Sequence, residues 1–126
     1  MNTTEHPEIK DLMSRYFDGL YNSDSNILRT VFHPKLSYVN ATAGNHEFMG
    51  LEDYMTRIDN RTSPASRGDP REEVIEAIRL KGTQMGFVEA RMTMLGRNYE
   101  DLLTLIHDRH DWKVLTKVFS HIEREV

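Results

Sequence analysis

The hydrophobic period changes once along this chain, from helical spacing in the first half to extended stretches in the second, and that change constrains the fold more than any other feature. Near the N-terminus Ile9, Leu12, Met13, Tyr16, Phe17 and Leu20 recur three and four apart, with Lys10, Asp11, Ser14, Arg15 and Asp18 on the opposite face. Pro7 suits the first turn of this helix, where its missing N–H costs nothing, and Asn22-Ser23 marks its end before a new start signal at Asp24. The spacing predicts a short second helix that turns Ile27, Leu28, Val31 and Phe32 inward. His33-Pro34 closes it, because a residue before proline is pushed out of the α region and proline cannot continue the ladder. Leu36, Tyr38 and Asn40 then alternate with Ser37 and Val39 as a strand, and a second short strand is expected over 45–49. Leu51, Tyr54, Met55 and Ile58 repeat as a third helix ending near Asn60.

Residues 61–72 carry Ser, Pro, Gly, Asp and Arg without apolar periodicity and read as an exposed loop, long enough for a pocket lid to be one functional reading. Four extended stretches follow, 73–81, 84–95, 98–108 and 112–122, separated by Lys81-Gly82-Thr83, Gly96-Arg97 and 107–111. Three consecutive hairpins imply an antiparallel meander. Helices first and strands last is the α+β order, and a sheet of this length twists and curls into a cone whose concave face the helices cover. That concavity is the expected site.

A length of 126 residues predicts one domain, 1–126, and therefore one site. The formal charge of −4, without any Lys/Arg cluster, gives no reason to expect nucleic acid or an anionic membrane as partner. The absence of cysteine excludes disulfides, thiolate zinc sites and cysteine nucleophiles. No apolar leader is visible in Met1 to Lys10 and no run of 18 apolar residues occurs, so a cytoplasmic protein is expected. Asn2-Thr3-Thr4, Asn40-Ala41-Thr42 and Asn60-Arg61-Thr62 match the glycosylation pattern by chance on that expectation. With no phosphate loop, dinucleotide fingerprint or nucleophile elbow, no cofactor is expected.

Asp101 and Lys117 stand out among the titratable residues, since a hairpin turn centred on Arg109 would place them opposite one another on one face of adjacent strands. Facing the pocket, Asp101 can serve as a general base with Lys117 holding it ionised; the same pair can equally be a structural ion pair. His33 has two readings, an acid or base at the mouth of the cone or a cap on the helix before it. His107 and His110, with Asp108 and Asp111, sit in a turn without a second ligand pair, and no metal site is expected there. Tyr16, Tyr38, Tyr54, Tyr99 and Trp112 combine flat apolar faces with polar tips, so they suit either the core or a ligand pocket. Met13, Met49, Met55, Met85, Met92 and Met94 are adaptable wall material on the same terms.

The strings Tyr16-Phe17-Asp18-Gly19-Leu20-Tyr21, Phe32-His33-Pro34, Gly50 with Tyr54, Tyr99 to Leu105 and Trp112 to Phe119 together resemble the putative lumazine-binding family, SnoaL-like, within the nuclear transport factor 2-like superfamily. Two departures stand out. The turn carries Arg109-His110-Asp111 where glycine is usual, and His107 replaces the usual lysine. The resemblance implies a cystatin-like cone, a small-molecule ligand akin to a flavin precursor, and a homodimer formed through the sheet. It implies as an alternative an isomerase, polyketide cyclase or dehydratase working with a pocket Asp or His base. Fold alone does not choose between them.

Overall fold

The computed structural model describes residues 6–123; the acceptor tripeptide Asn2-Thr3-Thr4 and the first half of the segment read for a leader lie outside them. Helix α1 (Pro7–Asn22) buries Ile9, Leu12, Met13, Tyr16, Phe17 and Leu20, the face its spacing marks out. It stops at Ser23, whose left-handed backbone, φ 47°, lets its N–H return to the carbonyls of Gly19 and Leu20. Asp24 caps the next start, its carboxylate accepting from the N–H groups of Asn26 and Ile27 at 2.9 and 3.2 Å.

Helix α2 (Ser25–Leu28) is a single turn, shorter than the spacing predicts. Val31 and Phe32 are buried as expected, but they lead into a strand, and β1 (Phe32–Asn40) contains His33-Pro34. Proline is tolerated because β1 loses register between Phe32 and Ser37, so no ladder bond is demanded of residue 34. Strand β2 (Glu47–Met49) and helix α3 (Leu51–Asn60) follow. The long strands are β3 (Glu72–Lys81), β4 (Met85–Met94), β5 (Arg97–Asp108) and β6 (Asp111–Glu123). The turn between β4 and β5 is Leu95-Gly96, one residue earlier than Gly96-Arg97, and both residues have positive φ, 57° and 72°.

The strands form one six-stranded sheet in the order β2-β1-β6-β5-β4-β3. The meander from β3 to β6 is antiparallel throughout, whereas β1 lies parallel to β6. The α+β cone of the sequence reading is therefore present, with α1 and α3 on its concave face burying Leu12, Tyr16, Met55 and Ile58 against Val88, Leu103 and Val114.

The register between β5 and β6 corrects one expectation. Asp101 lies opposite Phe119, and Lys117 opposite Leu103. Two offsets combine: the hairpin turns on the two residues Arg109 and His110, and a bulge between Thr104 and Leu105 adds another residue to β6. An even total shift leaves both side chains on one face, so Asp101 and Lys117 are diagonal neighbours.

Hydrogen bonds to α1 and to the turn after β4 tie down the segment 61–71. The Ala65 N–H donates to the Tyr21 carbonyl (3.0 Å), the Tyr21 hydroxyl to the Asp69 carbonyl (2.6 Å), and the Leu95 N–H to the Asp69 carboxylate (3.1 Å). No helix among the described residues is long and apolar enough to cross a membrane.

Candidate functional site

A cavity of about 210 Å³ opens between α3, the end of α1 and the concave face where β5 begins and β6 ends. Strand register decides what lines it. One row across the sheet reads Ala90, Asp101, Phe119, Asn40 and Glu47; the next toward the mouth pairs Met92 with Tyr99 and Tyr99 with His121. On the other side of the Asp101 row, Lys117 lies beside Tyr38. Because side chains alternate, these residues all face the helices. Tyr54 reaches the same space from α3, and the rings of Tyr38 and Tyr54 lie 4.4 Å apart, with Phe119 5.1 Å from Tyr38.

Beneath this aromatic wall is a buried polar pair. Asp101 is 3% and Lys117 4% exposed. The Tyr16 hydroxyl donates to Asp101 Oδ2, while Asp101 Oδ1 is buried with no partner among the described residues. Lys117 Nζ donates to the Tyr54 hydroxyl at 3.0 Å and lies over the rings of Tyr16 and Phe119 at 4.9 and 5.1 Å, a cation–π cage. Burial works against the Lys117 ammonium, but the Tyr54 oxygen and the Asp101 carboxylate outweigh it and hold its pKa above the ordinary lysine value. Tyr16 is pushed well above an ordinary tyrosine, first by burial and then by Asp101. Burial likewise takes Tyr38 up to about 12. The floor thus holds a cation, an anion with one oxygen unused, and two neutral phenols.

The mouth is ionic. Arg57 grips Glu47 with two bonds of 2.9 and 3.2 Å, Asn40 adds a third at 3.0 Å, and these hold the Glu47 carboxyl below its usual range. Arg61 donates to the Leu20 carbonyl (2.6 Å) and the Ser23 hydroxyl (2.8 Å). Arg97 reaches Glu123 (3.2 Å) and, weakly, Tyr99 (3.4 Å). His121 also lines the cavity, its Nδ1 buried with no partner among the described residues; burial and then Arg97 depress its pKa, so the ring is neutral at pH 7.

Of the residues singled out from sequence, Tyr38, Tyr54, Tyr99, Asp101 and Lys117 line this cavity, and Tyr16 supports Asp101 from behind. His33 and Trp112 do not line it. They lie toward the hairpin-turn end of the sheet, each five residues along its strand from the nearest lining residue, Tyr38 or Lys117, or roughly 16 Å at ~3.3 Å per residue. There His33 Nε2 bonds Asp108 at 2.7 Å, His33 Nδ1 accepts from the Lys35 N–H at 3.0 Å, and Trp112 packs edge-on to His107. His33 therefore neither enters the mouth nor caps a helix. Sequence reasoning passed over Arg57, Arg61, Arg97, Asn40 and His121. The spacing of Arg57, three residues beyond Tyr54, was the available signal, since it puts both on one side of the helix.

The family model described as putative lumazine-binding matches residues 4–120. The chain belongs to the putative lumazine-binding family. Solved structures described as nuclear transport factor 2-like share the fold of this chain. A nuclear transport factor 2-like protein of unknown function from Shewanella baltica superposes with a TM-score of 0.82 at 21% identity, covering 96% of this chain and 98% of its own. One of the same description from Silicibacter pomeroyi gives 0.78 at 19%, covering 97% and 100%. A ketosteroid isomerase-like protein from Erwinia carotovora atroseptica gives 0.72 at 12%, covering 97% and 99%. At these identities the likeness is one of fold. No curated protein matches the sequence.

Proposed function

We propose that the protein binds a flat, partly apolar small molecule in the cavity between the sheet and the helices, without converting it. The observation that carries this reading is the combination of clustered rings, Tyr38, Tyr54, Tyr99 and Phe119, with a buried polar floor at Asp101 and Lys117. Few polar groups in an aromatic wall is the usual build of a small-molecule site. A volume of about 210 Å³ lies below the roughly 300–1,000 Å³ of sites for larger ligands, which favours one or two fused rings over a three-ring flavin. The family description points the same way. Fluorescence and calorimetric titration with lumazine, riboflavin and small polyketide-like ketones tests the reading. Saturable binding of the bicyclic ring, competing with none at Tyr54→Ala, is expected; no affinity for any flat ring sinks it.

A second reading rests on Asp101 Oδ1, a carboxylate oxygen buried with no partner among the described residues. In an enzyme of the isomerase, cyclase or dehydratase type that oxygen would take a proton from an acidic C–H while Tyr16 holds the other oxygen in place. Solvent deuterium exchange into a bound ketone, followed by NMR, separates the two readings. Exchange lost in Asp101→Asn supports catalysis, and no exchange in the parent protein leaves binding alone. A second copy of the chain on the outer face of the sheet completes the proposal, since Val74, Met85, Leu102 and Ile122 are exposed there.

A further inference from the structure

Charge around the cavity runs against charge over the molecule. The protein carries a formal −4, yet four cations, Arg57, Arg61, Arg97 and Lys117, line the cavity against two carboxylates, Glu47 and Asp101. Two positive charges are left in excess inside an acidic protein, where low-dielectric walls focus the field toward the opening.

The partners of each cation narrow the point further. Arg57 is committed to Glu47 through its two terminal guanidinium nitrogens, and Lys117 faces the Tyr54 hydroxyl and the Asp101 charge in the floor. Arg61 is different: it bonds only neutral oxygens, those of Leu20 and Ser23, and pairs with no carboxylate among the described residues. The Arg97 partner, Glu123, is 75% exposed, so that pair is worth little and is easily exchanged for a better acceptor. Beside Arg97 stands His121, a neutral ring with a buried nitrogen that has no partner among the described residues. Arg61 comes from the end of α3 and Arg97 from the first residue of β5, so two guanidinium groups approach the opening from the helical and the sheet side.

We propose that the ligand is an aromatic carboxylic acid, its ring against Tyr38, Tyr54, Tyr99 and Phe119 and its carboxylate at the mouth between Arg61 and Arg97. This rests on the ring-binding reading above and adds the charge of the ligand. A guanidinium fork matches the two oxygens of a carboxylate, and a planar acid places that group in the plane of the ring the aromatic wall accepts. An anion also relieves the excess positive charge, which a neutral ring leaves uncompensated.

The test is calorimetric titration of two matched pairs: benzoate against benzamide, and 6-carboxylumazine against lumazine. The acid of each pair is expected to bind about tenfold tighter than its neutral partner, as a charge-assisted pair requires. That preference should shrink as salt rises from about 0.05 M to about 0.5 M. Arg61→Gln and Arg97→Gln should each weaken the acid severalfold and leave the neutral ring unchanged. Because Arg61 also ties the end of α1, Arg97→Gln and the salt series carry the result if the first variant unfolds. Equal or tighter binding of the neutral member overturns the charge assignment while the ring-binding reading stands. Failure of all four compounds to bind overturns both.

Discussion

Tyr16 and Asp101 come from opposite ends of the chain, and each needs the other. The hydroxyl is the one donor that the described residues supply to a buried carboxylate, and the carboxylate keeps a buried hydroxyl satisfied. Tyr16→Phe keeps the ring and removes only that bond. A hydrogen bond to a charged group is worth about 1.5–3 kcal/mol, so urea unfolding should show a loss of that size. Titration gives a second expectation. Tyr16, Tyr38 and Lys117 all have folded pKa values above their ordinary ones, so the folded state holds their protons more tightly than the unfolded chain. Their contribution is fully present below about pH 10, the ordinary tyrosine value. It is lost as pH climbs through the folded values, about 12 for Tyr38. Urea midpoints measured across alkaline pH should fall in that window, and Tyr38→Phe should flatten the fall. Asp101, Lys117 and the tyrosines could be read from residue type and strand parity. Arg97 and His121 could not, because a charged residue at the end of a strand looks the same whether it points into solvent or into a cavity.

Register and turns are where elements set the site. The turn at Arg109-His110 and the bulge after Thr104 displace β6 by an even number of residues, and an odd displacement would have put Lys117 on the solvent face. Arg109 pays for its turn with a positive φ of 63°, in a position that is exposed. Arg109→Gly removes a left-handed cost of about 1–2 kcal/mol and adds roughly 0.5–1 kcal/mol of chain entropy, so a gain of about 0.5–1 kcal/mol is expected in the urea midpoint. At the other layer, α1 and α2 meet at Gly19, where an added Cβ would fall 2.6 Å from two side-chain carbons of the fully buried Leu28. Alanine gains about 1 kcal/mol over glycine inside a helix, but overpacking costs about 1–3 kcal/mol. Gly19→Ala should therefore lower the thermal midpoint, and an unchanged midpoint would show that Leu28 yields. Periodicity located every long element because burial enforces it along the whole length. The single turn of α2 was overdrawn because Val31 and Phe32 are apolar in a strand start as they are in a helix.

Across the whole molecule, the parallel pairing of β1 with β6 joins the helical half to the meander and brings Tyr38 and Asn40 beside Lys117 and Phe119. The outer face of the same sheet exposes Leu102 and Ile122, at 47% and 69%. If a second copy covers it, sedimentation should give about twice 14.7 kDa, and Leu102→Lys with Ile122→Lys should return the monomer mass without loss of helix or sheet signal. A monodisperse monomer of the parent protein at high concentration removes that partner. The change of period, the order of helices before strands, and the parity of Asp101 with Lys117 were all legible in the sequence, because each is a local consequence of side-chain geometry along one element. The tertiary structure alone decided which end of the sheet holds the cavity, how β1 joins β6, and that three arginines gather at one mouth. Those depend on contacts between residues far apart in the chain, and no local pattern encodes a distance across a sheet.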